Sequence, residues 1–193
     1  MLTRERALEL VKEHTENKNL IKHMLAVEVA MKAYAKKFNE DEELYAVTGL
    51  IHDFDYEKMK DEHPSEWGYK ILRENGVDER TIQAIIGHAH RDDPSTRPDN
   101  MSRALFAVDE LTGFTVAVAL MKPNQLSDVD VVSIKKKFKD KGFAKGVNRD
   151  DVINGAKELN VELDDHIQLV IDAMKEIKLS PRSANPASHP WMA

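Results

Sequence analysis

Histidine and aspartate residues at three separate places in the chain could together bind a metal ion. They are His23, the adjacent pair His52 and Asp53, and Asp109. Neutral imidazole and carboxylate ligands together suit a divalent cation such as manganese, iron, zinc, cobalt or nickel. When bound, such a cation lowers the pKa of water and polarises a phosphoryl oxygen, which is the chemistry needed to hydrolyse a phosphate ester. The residue types therefore predict a hydrolytic metal centre, provided that the fold brings them together.

Two early helices must position the first three of these residues. Apolar residues recur every three or four positions from about residue 19 to residue 38, which predicts a helix with His23 at the flank of its apolar face. A second helix is expected from about residue 41 to His52. The His52–Asp53 pair would then lie where the chain leaves that helix.

Asp109 is expected in the middle of a long apolar helix that Ser102 caps and that stops at Pro123. A carboxylate in such a place is costly to bury unless it is paired or bound to a cation. A hydrogen-bonded structural acid is the alternative interpretation of Asp109 alone.

The rest of the pattern is also helical. Pro64 is expected in the first turn of a helix that ends before Gly76, and Asp78 should cap the next one. Only residues 129–134 resemble a β-strand, and that run is too short to build a sheet alone. We therefore predict an all-α protein, a single-domain helical bundle. Its expected parts are a core carrying the metal site (1–125), a C-terminal helical extension packed on that core (126–179, with helices near 150–159 and 164–178) and a disordered tail (180–193).

Composition narrows the class of protein. The 193 residues are 41% hydrophobic and 32% charged, which is ordinary for a globular protein. There is no cysteine, so thiolate ligands, a cysteine nucleophile and disulfides are excluded. No apolar run is long enough to span a membrane, and we expect a cytoplasmic protein. The net charge of −6 argues against broad nucleic-acid binding. The expected partner is a small phosphorylated substrate; the oligomeric state stays open.

The local contexts of the four residues resemble the HD superfamily of metal-dependent phosphohydrolases. The similar segments are Leu20–Val27 around His23, Gly49–Asp55 around the His-Asp pair and Ala107–Leu111 around Asp109, and the resemblance covers roughly residues 19–121. It implies an HD-type helical fold and a metal bound by His23, His52, Asp53 and Asp109. The region after Asp109 is also similar to a bacterial subgroup of predicted HD hydrolases.

The same resemblance implies a second ion. His63 opens a segment similar to the family's His-Pro helix start, and His88 ends another family-like segment. In the subgroup with two metals, histidines at these places bind the second ion and the aspartate of the pair bridges. Some members have two consecutive histidines at the later place, whereas here Ala89 separates His88 from His90. One or two ions therefore stay possible.

Residues that follow the pair are candidates for catalysis beside Asp53 itself. Asp55, Glu57 and Lys58 could each supply an acid, a base or a phosphate contact, and the sequence does not choose among them. His14, His166 and His189 are expected at the surface. The cluster Lys135, Lys136, Lys137, Lys139 and Lys141 is either a solvated face or a basic rim that attracts phosphate.

Three functions are compatible with these residues. The first is a phosphohydrolase, either a phosphomonoesterase or a phosphodiesterase, acting on a nucleotide or another small phosphate ester. The second is a metal-binding regulatory module without turnover. The third is a di-iron oxygenase. The intact ligand set favours the first function over the second, and nothing in the sequence matches an oxygenase subgroup.

Overall fold

A computed structural model describes residues 2–176 of the chain. This part consists of nine α-helices, two single turns of 3-10 helix and connecting loops, and it contains no strand. The helices are α1 Arg4–His14, α2 Lys18–Phe38, α3 Glu42–Ile51, α4 Glu66–Glu74, α5 Glu79–Ala89, α6 Asn100–Ala119, α7 Val131–Phe138, α8 Arg149–Glu158 and α9 Leu163–Glu176. The predicted all-α class is confirmed. The predicted disordered tail lies outside the described residues.

Helix α2 is the central element, as its apolar stripe predicted. Asn17 caps the N-terminus of α2, because its side-chain oxygen accepts hydrogen bonds from the backbone N–H groups of Asn19 and Leu20. Asn39 ends the helix in the left-handed conformation, with φ of 54°. The middle of the stripe, Met24, Val27, Met31 and Tyr34, is fully buried, and α2 packs against α3, α6 and α9. His23 lies near the N-terminal end of this stripe, and its side chain is 22% exposed.

A close crossing of α2 and α3 places their ligand residues side by side. A Cβ atom on Gly49 would come within 2.9 Å of the Val27 carbonyl oxygen and 3.0 Å of the Glu28 Cα. Only glycine leaves room for this contact between two helix backbones. His23 precedes the crossing by one turn of α2, and His52 follows it by about one turn of α3. The crossing therefore brings both imidazoles to the same end of the bundle.

The predicted helix starts are only partly confirmed. Asp41 and Asp78 cap α3 and α5 through their side chains. Ser102, however, is not the N-cap of α6: Asp99 is, and Ser102 stands three residues into the helix, where its side chain completes a reciprocal capping box. Serine is a preferred N-cap residue, so the sequence pattern placed the start three residues late. Asp109 lies near the middle of α6, as expected.

The C-terminal part also differs from expectation at two places. Residues 131–134 of the β-leaning run form the start of α7 instead, and Asp130 caps that helix in a second capping box with Ser133. His166, expected at the surface, is 1% exposed. Its Nε2–H donates to the Ala107 carbonyl at 3.0 Å, and its Nδ1 accepts the Tyr34 hydroxyl at 2.6 Å. Helix α9 is thereby fixed to both α2 and α6, the helices that carry His23 and Asp109.

Candidate metal centre

A backbone contact orients the His52 imidazole so that its Nε2 faces Asp53 and Asp109. Its side chain is fully buried at the end of α3. Its Nδ1 lies 2.9 Å from the Gly49 carbonyl oxygen, which makes Nδ1 the protonated donor and leaves the lone pair on Nε2. Nε2 is completely buried and has no hydrogen-bond partner among the described residues. A buried acceptor without a partner is costly, and a cation at this point would satisfy it.

Asp109 and His23 lie on one side of the His52 imidazole. The Asp109 carboxylate Oδ1 is 2.9 Å from His23 Nε2 and 3.6 Å from His52 Nε2. Helix α6 thus delivers the Asp109 carboxylate directly to two imidazole nitrogens, those of His23 on α2 and His52 at the end of α3. The costly aspartate that the sequence showed is here surrounded by possible metal ligands.

Asp53 lies on the other side, among three histidines. Its Oδ1 is 2.9 Å from His63 Nε2, 3.4 Å from His52 Nε2 and 3.6 Å from His88 Nε2. Its second oxygen is 3.7 Å from His23 Nε2. Because Asp53 reaches imidazoles of both halves of the cluster, it has the position that a bridging carboxylate requires.

His63 and His88 are held by groups behind them. His88 Nδ1 is 2.5 Å from the Ile85 carbonyl oxygen of its own helix, and His63 Nδ1 is 2.7 Å from Asp55 Oδ1. Asp55 itself is only 1% exposed and accepts the Ser65 backbone N–H and hydroxyl. A Cβ atom on Gly68 would come within 2.4 Å of Asp55 Oδ2, so a glycine is needed at that point of α4.

The two carboxylates are ionised at neutral pH. Burial by itself raises the pKa of Asp53 and of Asp109, but the neighbouring histidines, His52 foremost for Asp53 and His23 for Asp109, lower both pKa values far below the usual range. Burial lowers the pKa of His63, yet Asp53 and Asp55 raise it to about 9. Protons and metal ions therefore compete for the same Nε2 atoms, and metal binding is expected to strengthen as the pH rises.

The spacing of these atoms fits coordination of one or two ions. Two groups of side chains have ligand atoms that all lie within 4.8 Å of one another, namely His23, His52 and Asp109, and His52, Asp53 and His88. Metal–ligand bonds of about 2.1 Å place neighbouring ligand atoms roughly 3.0–3.4 Å apart. Several of the distances given above fall in or near that range. The donor set of imidazole and carboxylate also suits a divalent transition metal.

An open cleft of about 440 Å³ lies over the cluster. Arg91, which follows α5, lines it beside Asp109 and Glu110. The Arg91 guanidinium is 3.0 Å from the Glu110 carboxylate and 2.8 Å from that of Asp151 on α8. Burial raises the pKa of Glu110 and of Asp151, while Arg91 opposes that increase. The C-terminal part of the chain therefore reaches the cleft through Asp151.

Of the residues predicted from sequence, the structure brings six together: His23, His52, Asp53, His63, His88 and Asp109. It places Asp55 directly behind His63 but does not bring Lys58 to the cleft. The Lys58 ammonium is 3.1 Å from His14 Nδ1 and lies 5.7 Å from the centre of the Trp67 ring. Glu57 accepts the backbone N–H groups of Glu16 and Asn17.

Several residues of the site were missed by sequence reasoning. Ser65 donates hydrogen bonds to Asp55, Gly68 leaves room for its carboxylate, and Arg91 and Tyr56 line the cleft. The sequence could have indicated Ser65 as a helix cap, because serine is a preferred residue just before a helix. Of the predicted lysine cluster, Lys135 is paired with Asp164 at 2.7 Å, and the loop that follows α7 reaches the cleft at Gly146.

The fold and the site define an all-α protein with a histidine–aspartate cluster that could hold a metal ion at the base of an open cleft. A family model described as HD domain matches residues 20–180, so the chain belongs to the HD domain family. Proteins of this family are generally metal-dependent hydrolases. No curated protein and no solved structure shows a significant match to the chain. The matched range continues past residue 125, so the division into a core (1–125) and a C-terminal extension (126–179) stays a prediction. Within residues 2–176, no helix is long and apolar enough to cross a membrane.

Proposed function

We propose that the chain is a metal-dependent phosphohydrolase that hydrolyses a small phosphate ester in the cleft over the His–Asp cluster. One observation carries this proposal: four imidazole Nε2 atoms and two carboxylates converge at the base of a cleft that is open to a substrate. A bound divalent metal would supply an activated water and polarise the phosphoryl oxygen. A nucleotide is one substrate of suitable size, since ligand clefts typically measure about 300–1,000 Å³.

Two overlapping sets of side chains would hold the two ions. His23, His52, Asp53 and Asp109 would hold one ion, while His63 and His88 together with Asp53 would hold a second. Asp55 keeps His63 in the tautomer whose Nε2 faces the cluster, because its carboxylate accepts the proton on Nδ1.

Arg91 points its guanidinium at the cleft from the side. Glu110 accepts a hydrogen bond from one of its five N–H donors and Asp151 forms an ion pair with the same guanidinium, which leaves other donors to contact the phosphoryl oxygens of a substrate. Two carboxylates on separate helices also fix the guanidinium in one orientation, which favours a defined substrate position.

The test compares the wild type with Asp53→Ala and with Asp165→Ala as a matched control. Asp165 is exposed on α9 and lies outside the cluster. Metal content, thermal stability with added manganese and hydrolysis of a panel of phosphomonoesters and phosphodiesters are measured for all three proteins. The wild type and Asp165→Ala should bind metal, gain stability from it and hydrolyse at least one substrate. A stabilisation of about 2.7 kcal/mol is expected at a metal concentration 100 times Kd.

Asp53→Ala should lose most of this metal-dependent stabilisation and of the turnover, while circular dichroism still reports a helical fold. Equal turnover by wild type and Asp53→Ala would assign the activity to another site or to a contaminant. A wild type that is loaded with metal and hydrolyses none of the panel would instead favour a metal-binding module without turnover.

A further inference from the structure

A second cavity adjoins the cleft over the metal centre. It measures about 430 Å³ and shares four wall residues with the cleft, namely Leu20, His23, Tyr56 and Lys60. A ligand with its phosphoryl group at the cluster can therefore extend past Tyr56 into this side cavity. A lone phosphate would fill only a small part of the combined space.

Local turns hold Tyr56 and Lys60 close to the metal ligands. The backbone N–H of Tyr56 donates to the Asp53 carbonyl at 3.0 Å, and that of Met59 donates to the Asp55 carbonyl at 2.9 Å. The Tyr56 ring also contacts the His63 ring edge to face, with centroids 5.2 Å apart. The segment that carries Lys60 is thus tied directly to the segment that carries Asp53.

Lys60 forms no ion pair, unlike Arg91, the other basic side chain of the cleft. Arg91 is already paired with Glu110 and Asp151. Lys60, by contrast, makes no hydrogen bond, ion pair or ring contact with any other residue in the range 2–176. The one carboxylate that lines the side cavity, Glu57, accepts two backbone N–H groups through Oε2, at 2.8 Å and 2.9 Å, and does not pair with Lys60. The side cavity therefore presents an ammonium group that forms no ion pair, while Glu57 keeps its negative charge beside the two backbone N–H groups.

We propose that Lys60 binds a second anionic group of the substrate, a phosphate or a carboxylate separate from the phosphoryl group that is hydrolysed. This inference rests on the proposed phosphohydrolase function and narrows its substrate class to phosphate esters with two anionic groups. An ammonium on a flexible stem suits either anion, because it acts as a point charge with three rotatable donors. Leu20 and the Tyr56 ring would contact the carbon skeleton between the two groups.

The test measures binding of unreactive ligands to the manganese-loaded full chain by titration calorimetry. The probes are an alkylphosphonate, the α,ω-alkane bisphosphonates of matched and longer spacers, and the corresponding phosphonocarboxylates. Titration of each probe into manganese alone corrects for chelation in solution. The variants are Lys60→Met, Lys60→Arg and, as a charge-matched control, Lys12→Met. Lys12 is exposed on α1 and does not line either cavity.

The wild type should bind the best bisphosphonate or phosphonocarboxylate about 10-fold more tightly than the alkylphosphonate, since a charge-assisted contact is worth roughly 1.5 kcal/mol. Lys60→Met should lose this advantage without a change in alkylphosphonate affinity, whereas Lys60→Arg and Lys12→Met should keep most of it. The probe with the larger advantage identifies the preferred anion.

Three results would overturn the proposal for Lys60: no advantage of any second anion in the wild type, an advantage that survives in Lys60→Met, or an equal loss of affinity for both kinds of probe. The last would mean that Lys60 only adds to the general positive potential. Failure of the alkylphosphonate itself to bind the metal-loaded wild type would contradict the phosphohydrolase function, and the Lys60 subsite would fail with it.

Discussion

Replacing Gly155 by alanine should both destabilise the protein and disturb the metal centre, although Gly155 contacts no ligand residue. A Cβ atom at this position of α8 would stand 2.5 Å from the Ala107 Cα and 2.7 Å from the Ala107 Cβ. Carbon atoms pack at about 3.5–4.0 Å, so α6 and α8 would have to separate by about 1 Å. Ala107 precedes Asp109 by two residues, and its carbonyl accepts His166. The displacement therefore falls on the segment that delivers Asp109.

Two opposing contributions determine the change in the free energy of unfolding. Alanine favours a helix over glycine by about 1 kcal/mol. Forcing an extra carbon into a closely packed contact costs about 1–3 kcal/mol, and the upper end applies here because the clash is with backbone atoms. The net loss should be about 2 kcal/mol, or a fall in Tm of roughly 4–8 °C for a chain of this size.

The matched control is Gly113→Ala in α6, where an added Cβ would meet no atom within 4 Å. This variant should be as stable as the wild type or more stable by up to about 1 kcal/mol. Urea and thermal unfolding report stability, and manganese titration reports the centre. Since a misplacement of about 1 Å can lower catalysis roughly 100-fold, turnover by Gly155→Ala should fall while that of Gly113→Ala persists. If Gly155→Ala matched Gly113→Ala in stability and metal affinity, α6 and α8 would not touch at Ala107 in solution.

Three further results are expected. Gly113→Leu should keep stability and metal affinity but lose most turnover, because Gly113 lines the cleft and its side chain would project into open space; full activity would place the substrate elsewhere. Burial lowers the pKa of His166 to about 4, so the unfolded chain binds a proton that the folded chain does not, and stability is lost as the pH falls from about 6.5 to 4. This loss of up to about 3 kcal/mol should be absent when the free energy of unfolding of His166→Gln is measured against pH. If the wild type and His166→Gln lost stability in parallel, the low pKa of His166 would be contradicted. Glu158→Gln should destabilise the protein by about 3–5 kcal/mol, because Glu158 accepts hydrogen bonds from two of the three guanidinium nitrogens of the fully buried Arg97, each at 2.7 Å; a change below about 1 kcal/mol would show that Arg97 is solvated.

The sequence by itself determined the all-α class and the course of α2, and its resemblance to the HD superfamily identified the residues that converge at the His–Asp cluster. The first two features depend on short-range patterns. An apolar stripe repeats with the period of the helix, and a cap such as Asp78 bonds to backbone groups two residues away. Asp109 was conspicuous because a carboxylate among apolar residues requires a partner wherever the helix packs.

Only the tertiary structure decided how those residues are held and what surrounds them. The burial of His166 depends on Tyr34, which is 132 residues away, and the local pattern of α9 contains no trace of that contact. Asp55 and Lys58 lie three residues apart in one turn, yet one is buried behind His63 and the other reaches His14. Their directions follow from the packing of α4 and α1, since turns that are stabilised by local hydrogen bonds leave side-chain direction to the neighbouring elements. For the same reason the free ammonium of Lys60 beside the metal centre became visible only once the positions of all nearby carboxylates were known.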